Sequence, residues 1–579
     1  VLIGDSGRMS ERITKRQWSR ISARLGPYES TVNASLTAMA EKKILQRIWA
    51  HDFTVWKTVP TEISNRLGWL HTAEIMKELA PRLNEFVEEI RKAGYKDALL
   101  LGMGGSSLAP RVFLKTFDCK EDYPRLSVLD TVDSDAIAAQ SKLLDPAETL
   151  YIVSSKSGGT VETLSLMRYF YCNEVLFAGK EDAGNHFVAI TDPKSPLEQI
   201  ADYNHFRTKF LNDPNIGGRY SALSYFGLVP AALLGIDLVR LLDQAITAMH
   251  ACETSVNIKE NPGALLGAIL GELAKVGRNK VTLITSPRIS SFGEWVEQLI
   301  AESTGKEGKG LVPVIGEPVG PPEVYGNDRL FVYMRLEGDL EYDNAVTRLE
   351  EADQPVVRLQ LQDIYELGSQ FFIWEVAVAI TGYIIGINPF DQPNVEYAKA
   401  LARKLVSDFA SSGSLPVTEP DLFSGDVLVY GNIHGKLLSE ILRGFLTQAT
   451  SGAYVAIQAY LEPSSETEKV LLEIRRKIRD RYKLATTLGH GPRYLHSTGQ
   501  LHKGDAGHGL FIQIAAGDSE DIGIPDDLGS SASSITFSLL KQAEAIGDNQ
   551  ALVEAGRRII RFHLVNVPNG LNKLNEAMT

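Results

Sequence analysis

Short apolar runs separated by longer stretches with helical spacing recur along most of the chain. DALLLG (97–102), LSVLDT (126–131), TLYIVSS (149–155) and HFVAITD (186–192) follow the helical segment HTAEIMKELAPRLNEFVEEIRKAG (71–94). KVTLITS (280–286), RLFVYMRL (329–336) and PVVRLQL (355–361) repeat the arrangement and lead into the apolar helical stretch FFIWEVAVAITGYIIG (371–386). A third set, VLVYGN (427–432), YVAIQAYL (454–461) and GLFIQIA (509–515), surrounds the charged ETEKVLLEIRRKIRDRYK (466–483). The alternation predicts α/β layering around largely parallel sheets. The charged segment reads as a solvated helix face, and the tail NQALVEAGRRIIRFHL (549–564) as a closing helix.

At 579 residues the chain is too long for one core. The pattern divides it into an N-terminal helical arm at 1–60, a first α/β domain at 61–254, a second at 255–412, and a C-terminal α/β extension at 413–579. Residues 413–425 and 524–534 read as linkers. The chain opens on a polar, basic stretch that starts with Val, as expected of a piece of a longer polypeptide. Composition is that of an ordinary soluble protein, 44% hydrophobic and 23% charged, without an uninterrupted apolar stretch of membrane-spanning length. A net charge of −13 without a long basic block argues against nucleic acid as a partner. Cys119, Cys172 and Cys252 are far apart and form no CxxC pair, which fits a reducing cytoplasm and argues against disulfides or a cysteine zinc site.

Two loops carry candidate chemistry. LLLGMGGSSLAP (99–110) is an apolar run that breaks into glycines and then two serines at a helix start, where backbone N–H groups favour anions. VSSKSGGTVET (153–163) places Ser155, Lys156, Ser157 and Thr160 at a second corner of the same kind. Hydroxyls, helix-start amides and close-approach glycines suit a compact phosphate monoester. The first loop lacks the spacing of a dinucleotide fingerprint or a Walker A loop, and no base pocket is apparent.

These two loops resemble the signature loops of the sugar isomerase (SIS) fold in the glucose-6-phosphate isomerase family. GGRYSALSYFGLVP (217–230), EQLIAESTGKEGKG (297–310), NPFDQPNVEYAK (388–399) and YLHSTGQLHKG (494–504) resemble further family segments, over roughly residues 60–515 in all. The likeness is greatest to the isomerase half of transaldolase/glucose-6-phosphate isomerase fusions. It implies two doubly wound parallel-sheet domains with helices on both faces, plus the C-terminal extension. It implies interconversion of glucose 6-phosphate and fructose 6-phosphate in glycolysis and gluconeogenesis, without cofactor or metal. It also implies a homodimer and a covalently fused transaldolase domain upstream as partners.

Residue roles follow from the same resemblance. Gly105, Ser106, Ser155, Lys156, Ser157 and Thr160 hold the phosphate. Glu302 is the base that moves a proton between C1 and C2, a task that suits a carboxylate lifted toward neutrality by burial. Arg219 stabilises the enediolate, His496 and Lys399 serve ring opening, and Gln392 bonds sugar hydroxyls. Taken alone, these hydroxyls are equally good helix caps and Glu302 an ordinary surface glutamate; Glu294 and Glu297 are expected to be solvated. SKSGGT departs from the usual SKTFTT, and the HS-x-GQ segment follows the FDQ segment instead of preceding it. The segment 316–331 has no histidine where animal-type members carry one, and His502 and His508 lie close enough in sequence to compete with His496 for ring opening. Their H-x₅-H-x₅-H spacing does not stack imidazoles on one helical face, so no metal site is expected. The rival functions are a non-catalytic SIS-type regulator, an isomerase that also accepts mannose 6-phosphate, and a nicotinamide dehydrogenase, the last lacking its glycine spacing.

Overall fold

The computed structural model describes residues 21–416, 418–431 and 434–578. Three sheets organise them. The first is fully parallel, in the order Arg125–Leu129, Asp97–Gly102, Thr149–Ser154, Phe187–Thr191, Thr208–Leu211. Its interior strand Asp97–Gly102 is buried on both sides. Ala98 and Leu100 face a core shared with the second sheet, and Leu99 and Leu101 face an outer layer. Side chains alternate across a strand, so a parallel strand covered by two layers reads as one unbroken apolar run.

The second sheet runs Ile21–Arg24, Val356–Leu361, Arg329–Leu336, Lys280–Thr285, Val312–Val314. Ile21–Arg24 joins it antiparallel, so the expected helical arm begins, within the described residues, as an edge strand before its helices Glu29–Glu41 and Ile44–Trp49. Residues 1–20 of that arm lie outside the described residues. Helix Leu367–Ile385 fills the space between the first two sheets. The segment Ile364–Ile385 has the length and mean hydropathy of a membrane span although Glu366, Gln370 and Glu375 interrupt its apolar run, and an 18-residue window of it is 83% buried inside the protein. A helix apolar all round belongs in a core of this size.

The third sheet has the order Leu422–Ser424, Val427–Tyr430, Arg558–Leu564, Gly509–Ala516, Tyr454–Tyr460, Ala485–His490, its last four strands parallel. Arg558–Leu564 corrects the predicted closing helix. The helix is Phe537–Glu554; Gly556, at φ +71°, lies just beyond its end, and the β-branched and aromatic RIIRFHL continues as an interior strand. The supposed linker near 524–534 is a turn between the paired strands Gly523–Ile524 and Ile535–Thr536. From there Ile524, Phe537 and Leu540 enter the outer core of the first sheet.

Helix Ser465–Tyr482 is not the solvated face its charges suggest. Arg475 and Arg479 are buried: Arg475 donates to the carbonyls of Ile315 (2.9 Å) and Thr486, and Arg479 to Pro318. Beside them Arg329 forms a buried two-pronged pair with Glu317, at 3.1 and 3.2 Å. The second and third sheets are therefore joined by desolvated arginines as well as apolar contact.

Candidate active site

Helix Phe292–Thr304 is buried along nearly its whole length, and its last turn carries Glu302. A carboxylate there meets the negative end of the helix dipole. Burial raises its pKa above the ordinary carboxylate value, and Arg219, Gln298, His496 and Lys399 pull the other way. Gln298, one turn earlier on the same face, donates to Glu302 Oε1 at 3.4 Å and to the His496 carbonyl at 2.8 Å.

Arg219 lies in the 3₁₀ turn Gly218–Tyr220, 2% exposed. Its guanidinium donates to Ser303 Oγ (2.8 Å), Glu302 Oε2 (3.2 Å), Gln392 Oε1 (2.6 Å) and the carbonyls of Pro389 (2.7 Å) and Asp391 (3.0 Å). Those five bonds use every guanidinium N–H. Lys306 is 1% exposed and donates to Asp391 Oδ1 at 2.7 Å. Burial and the neighbouring Arg219 bring its pKa down to about 7, against the pull of Asp391.

The loops close around this cluster. Gly105 packs so tightly on the GGRYS turn that a Cβ would lie 2.2 Å from the Gly218 carbonyl oxygen. Gly104, at φ +55°, leaves no room for one beside the His496 carbonyl at 2.7 Å. Only glycine fits either constraint. Gln500, from HSTGQ, donates to the Gly305 carbonyl (2.9 Å) and to Asn394 (2.7 Å), tying three of the motifs together.

Ser106 and Ser155 are buried, and the hydroxyls of Ser155 and Thr160 face each other at 3.2 Å. Thr160 opens helix Val161–Ala178 without capping it through its side chain. Ser157 is exposed and accepts from the Gly159 N–H. Lys156 turns to Asp192 and to the Pro214 carbonyl (3.1 Å), so its charge is already partnered.

Of the three histidines, His496 touches the cluster. Its Nε2 is 2.5 Å from Glu162 Oε1. His502 is buried against Tyr494 and Phe511, with Gln458 at 3.3 Å, and His508 lines a separate cleft. Lys399, in the first turn of helix Glu396–Ser412, bonds Glu396 at 3.1 Å, and its charge is felt by Glu302 and Glu162. Gln392 is exposed at the mouth.

Sequence reasoning passed over Glu162, Lys306 and Gln298, although all three stand inside the quoted motifs. Burial would raise the Glu162 carboxyl, but His496 brings it down to about 2. Beside it Glu544 is pushed well above the ordinary range by burial and then by Glu162 itself. Glu294 and Glu297 are not solvated as expected. Glu294 is held by Arg111 (3.0 Å) and Lys115 (2.5 Å), and burial lifts Glu297 to about 8.

The family model for phosphoglucose isomerase matches residues 71–312. A probable glucose-6-phosphate isomerase of Methanococcus maripaludis is 29% identical over 391 residues, 60% of this chain and 85% of the relative. A crystal structure of a glucose-6-phosphate isomerase from Chlamydia trachomatis shares the fold with a TM-score of 0.57 at 20% identity, covering 71% of this chain and 93% of that one. A glucose-6-phosphate isomerase of Thermus thermophilus is 32% identical over 394 residues, 59% of this chain and 91% of the relative. With that much of a relative spanned at that identity, the chain belongs to the glucose-6-phosphate isomerase family.

Proposed function

We infer that the chain is an aldose–ketose isomerase that interconverts glucose 6-phosphate and fructose 6-phosphate through an open-chain cis-enediol(ate). The observation that carries this reading is the buried Glu302–Arg219 contact at 3.2 Å, linked through Gln298 to the backbone of His496 and, at Gly104 and Gly105, to the first glycine loop.

The roles follow from the chemistry of each group. The helix-start amides with Ser106, Ser155, Ser157 and Thr160 receive the phosphate, with Gly105 close by and Lys156 contributing charge from its Asp192 pair. His496, oriented by Glu162, and Lys399 move the proton between the ring oxygen and the anomeric hydroxyl. Glu302, lifted by burial, takes the C2 proton of the aldose and returns it to C1. Arg219 supports the oxyanion that forms between those steps. Since its N–H groups are all engaged, a substrate oxygen displaces one partner, and exposed Gln392 is the one that yields, then turning to the sugar hydroxyls.

Cytoplasmic residence is supported by the unpaired Cys119, Cys172 and Cys252. A homodimer and an upstream transaldolase unit belong to this reading on the motif resemblance alone. The test of the function is Glu302→Gln: substrate binds with near-normal affinity and turnover falls at least ~100-fold, the range of positioned proton transfer. Near-normal turnover removes Glu302 from the mechanism.

A further inference from the structure

Three residues of helix Phe537–Glu554, in the C-terminal extension, reach the segments that carry His496, Glu162 and Lys399. Asp548 is fully buried. Its Oδ1 accepts from Lys503, and its Oδ2 from the Tyr494 hydroxyl (2.6 Å) and from Gln458 Nε2 (3.3 Å). The Tyr494 hydroxyl also lies 3.1 Å from that of Tyr460. One turn earlier on the helix, Glu544 is buried beside Glu162, the partner of His496. Between the two carboxyls Gly547 lets the helix approach the backbone that carries Lys399. A Cβ there would lie 3.0 Å from the Ala402 nitrogen and 3.2 Å from the Ala398 carbonyl oxygen.

Tyr494 is the link that bears on the histidine. It lies in the 3₁₀ turn Arg493–His496 and is 1% exposed. Its carbonyl accepts from the N–H groups of Ser497 (3.1 Å) and Thr498 (3.0 Å), so the chain just past His496 folds back onto Tyr494. The side chain of Tyr494 therefore anchors the loop, and Asp548, with Lys503 as its counter-ion, holds the anchor's hydroxyl. Hydrogen bonds to an ionised carboxylate are short and stronger than neutral ones. Such precision matters at this place, because a displacement of about 1 Å in a proton-transfer group can cost about 100-fold in rate.

We propose that Asp548 is a positioning residue for ring opening: through the Tyr494 hydroxyl it holds the turn that aims the His496 imidazole. The C-terminal extension is then part of the catalytic unit. This rests on the isomerase reading and on the ring-opening role of His496 within it. The test compares two substrates in the full chain: glucose 6-phosphate, whose ring must open, and a four-carbon aldose 4-phosphate, which has no ring to open. Tyr494→Phe removes only the hydroxyl that Asp548 holds. Turnover of glucose 6-phosphate falls about tenfold with KM little changed. C2 proton exchange of the aldose 4-phosphate in deuterated water stays near the wild-type rate. Asp548→Asn shows the same selective loss, at least as large; because it also strands Lys503, Tyr494→Phe is the decisive variant. Equal losses on both substrates in Tyr494→Phe, or no loss on glucose 6-phosphate, overturn the proposal and leave the isomerase reading standing. A wild type that acts on neither substrate overturns that reading and the proposal with it.

Discussion

The imidazole Nε2 of His496 lies 2.5 Å from the carboxylate Oε1 of Glu162, a residue 334 positions earlier in the chain. A buried carboxylate held ionised beside a histidine fixes the ring's orientation. On the roles inferred above, Glu162 acts through His496 and not on the C2 proton.

That division can be measured. Glu162→Gln lowers turnover of glucose 6-phosphate by about 100-fold, because the cyclic substrate still needs its ring opened. A four-carbon aldose 4-phosphate cannot close a ring. Its C2 proton exchange in deuterated water stays near the wild-type rate in Glu162→Gln and is lost in Glu302→Gln. Equal losses on both substrates reduce Glu162 to a structural residue.

Arg219→Lys keeps the charge but replaces a five-donor fork with three donors on a flexible stem. Turnover falls by about 100-fold, the loss expected when one preorganised donor to a developing oxyanion is removed. KM changes little. A change confined to KM places Arg219 in ground-state binding instead.

Glu297 gives a pH signature. Its folded pKa of about 8 lies above the ordinary 4.5, so the folded state holds the proton that the unfolded state releases. Stability on this account is greatest below pH 4.5 and declines as the pH climbs through 8. Glu297→Gln therefore leaves stability near the wild-type value at pH 5 and raises it at pH 8, by up to roughly 4 kcal/mol. Urea midpoints at the two pH values check this; identical shifts at both refute it.

Arg329→Met leaves the Glu317 carboxylate, whose side chain is 1% exposed, without its two-pronged partner. The expected cost is about 3–5 kcal/mol, read as a lowered urea midpoint of the full chain. Adding Glu317→Leu restores part of it, because the stranded charge is then gone.

The alternating apolar runs by themselves determined the α/β layering, since a strand covered on both faces has no polar positions to hide. The glycine–serine loops and the ES-x-GK and GGRYS segments likewise pointed to one place in the fold, because close backbone approach restricts which residues serve. Tertiary structure alone decided the rest. RIIRFHL pairs as a strand between two others, and Arg475 and Arg479 left solvent because the carbonyls of Ile315 and Pro318, just beyond the second sheet's edge strand, accept from them. Glu162, Gln298 and Lys306 drew their roles from neighbours hundreds or tens of residues away, and no local pattern encodes such a neighbour. Local sequence sets propensity and chemical type; burial, and with it the perturbed protonation on which this site depends, comes only from packing.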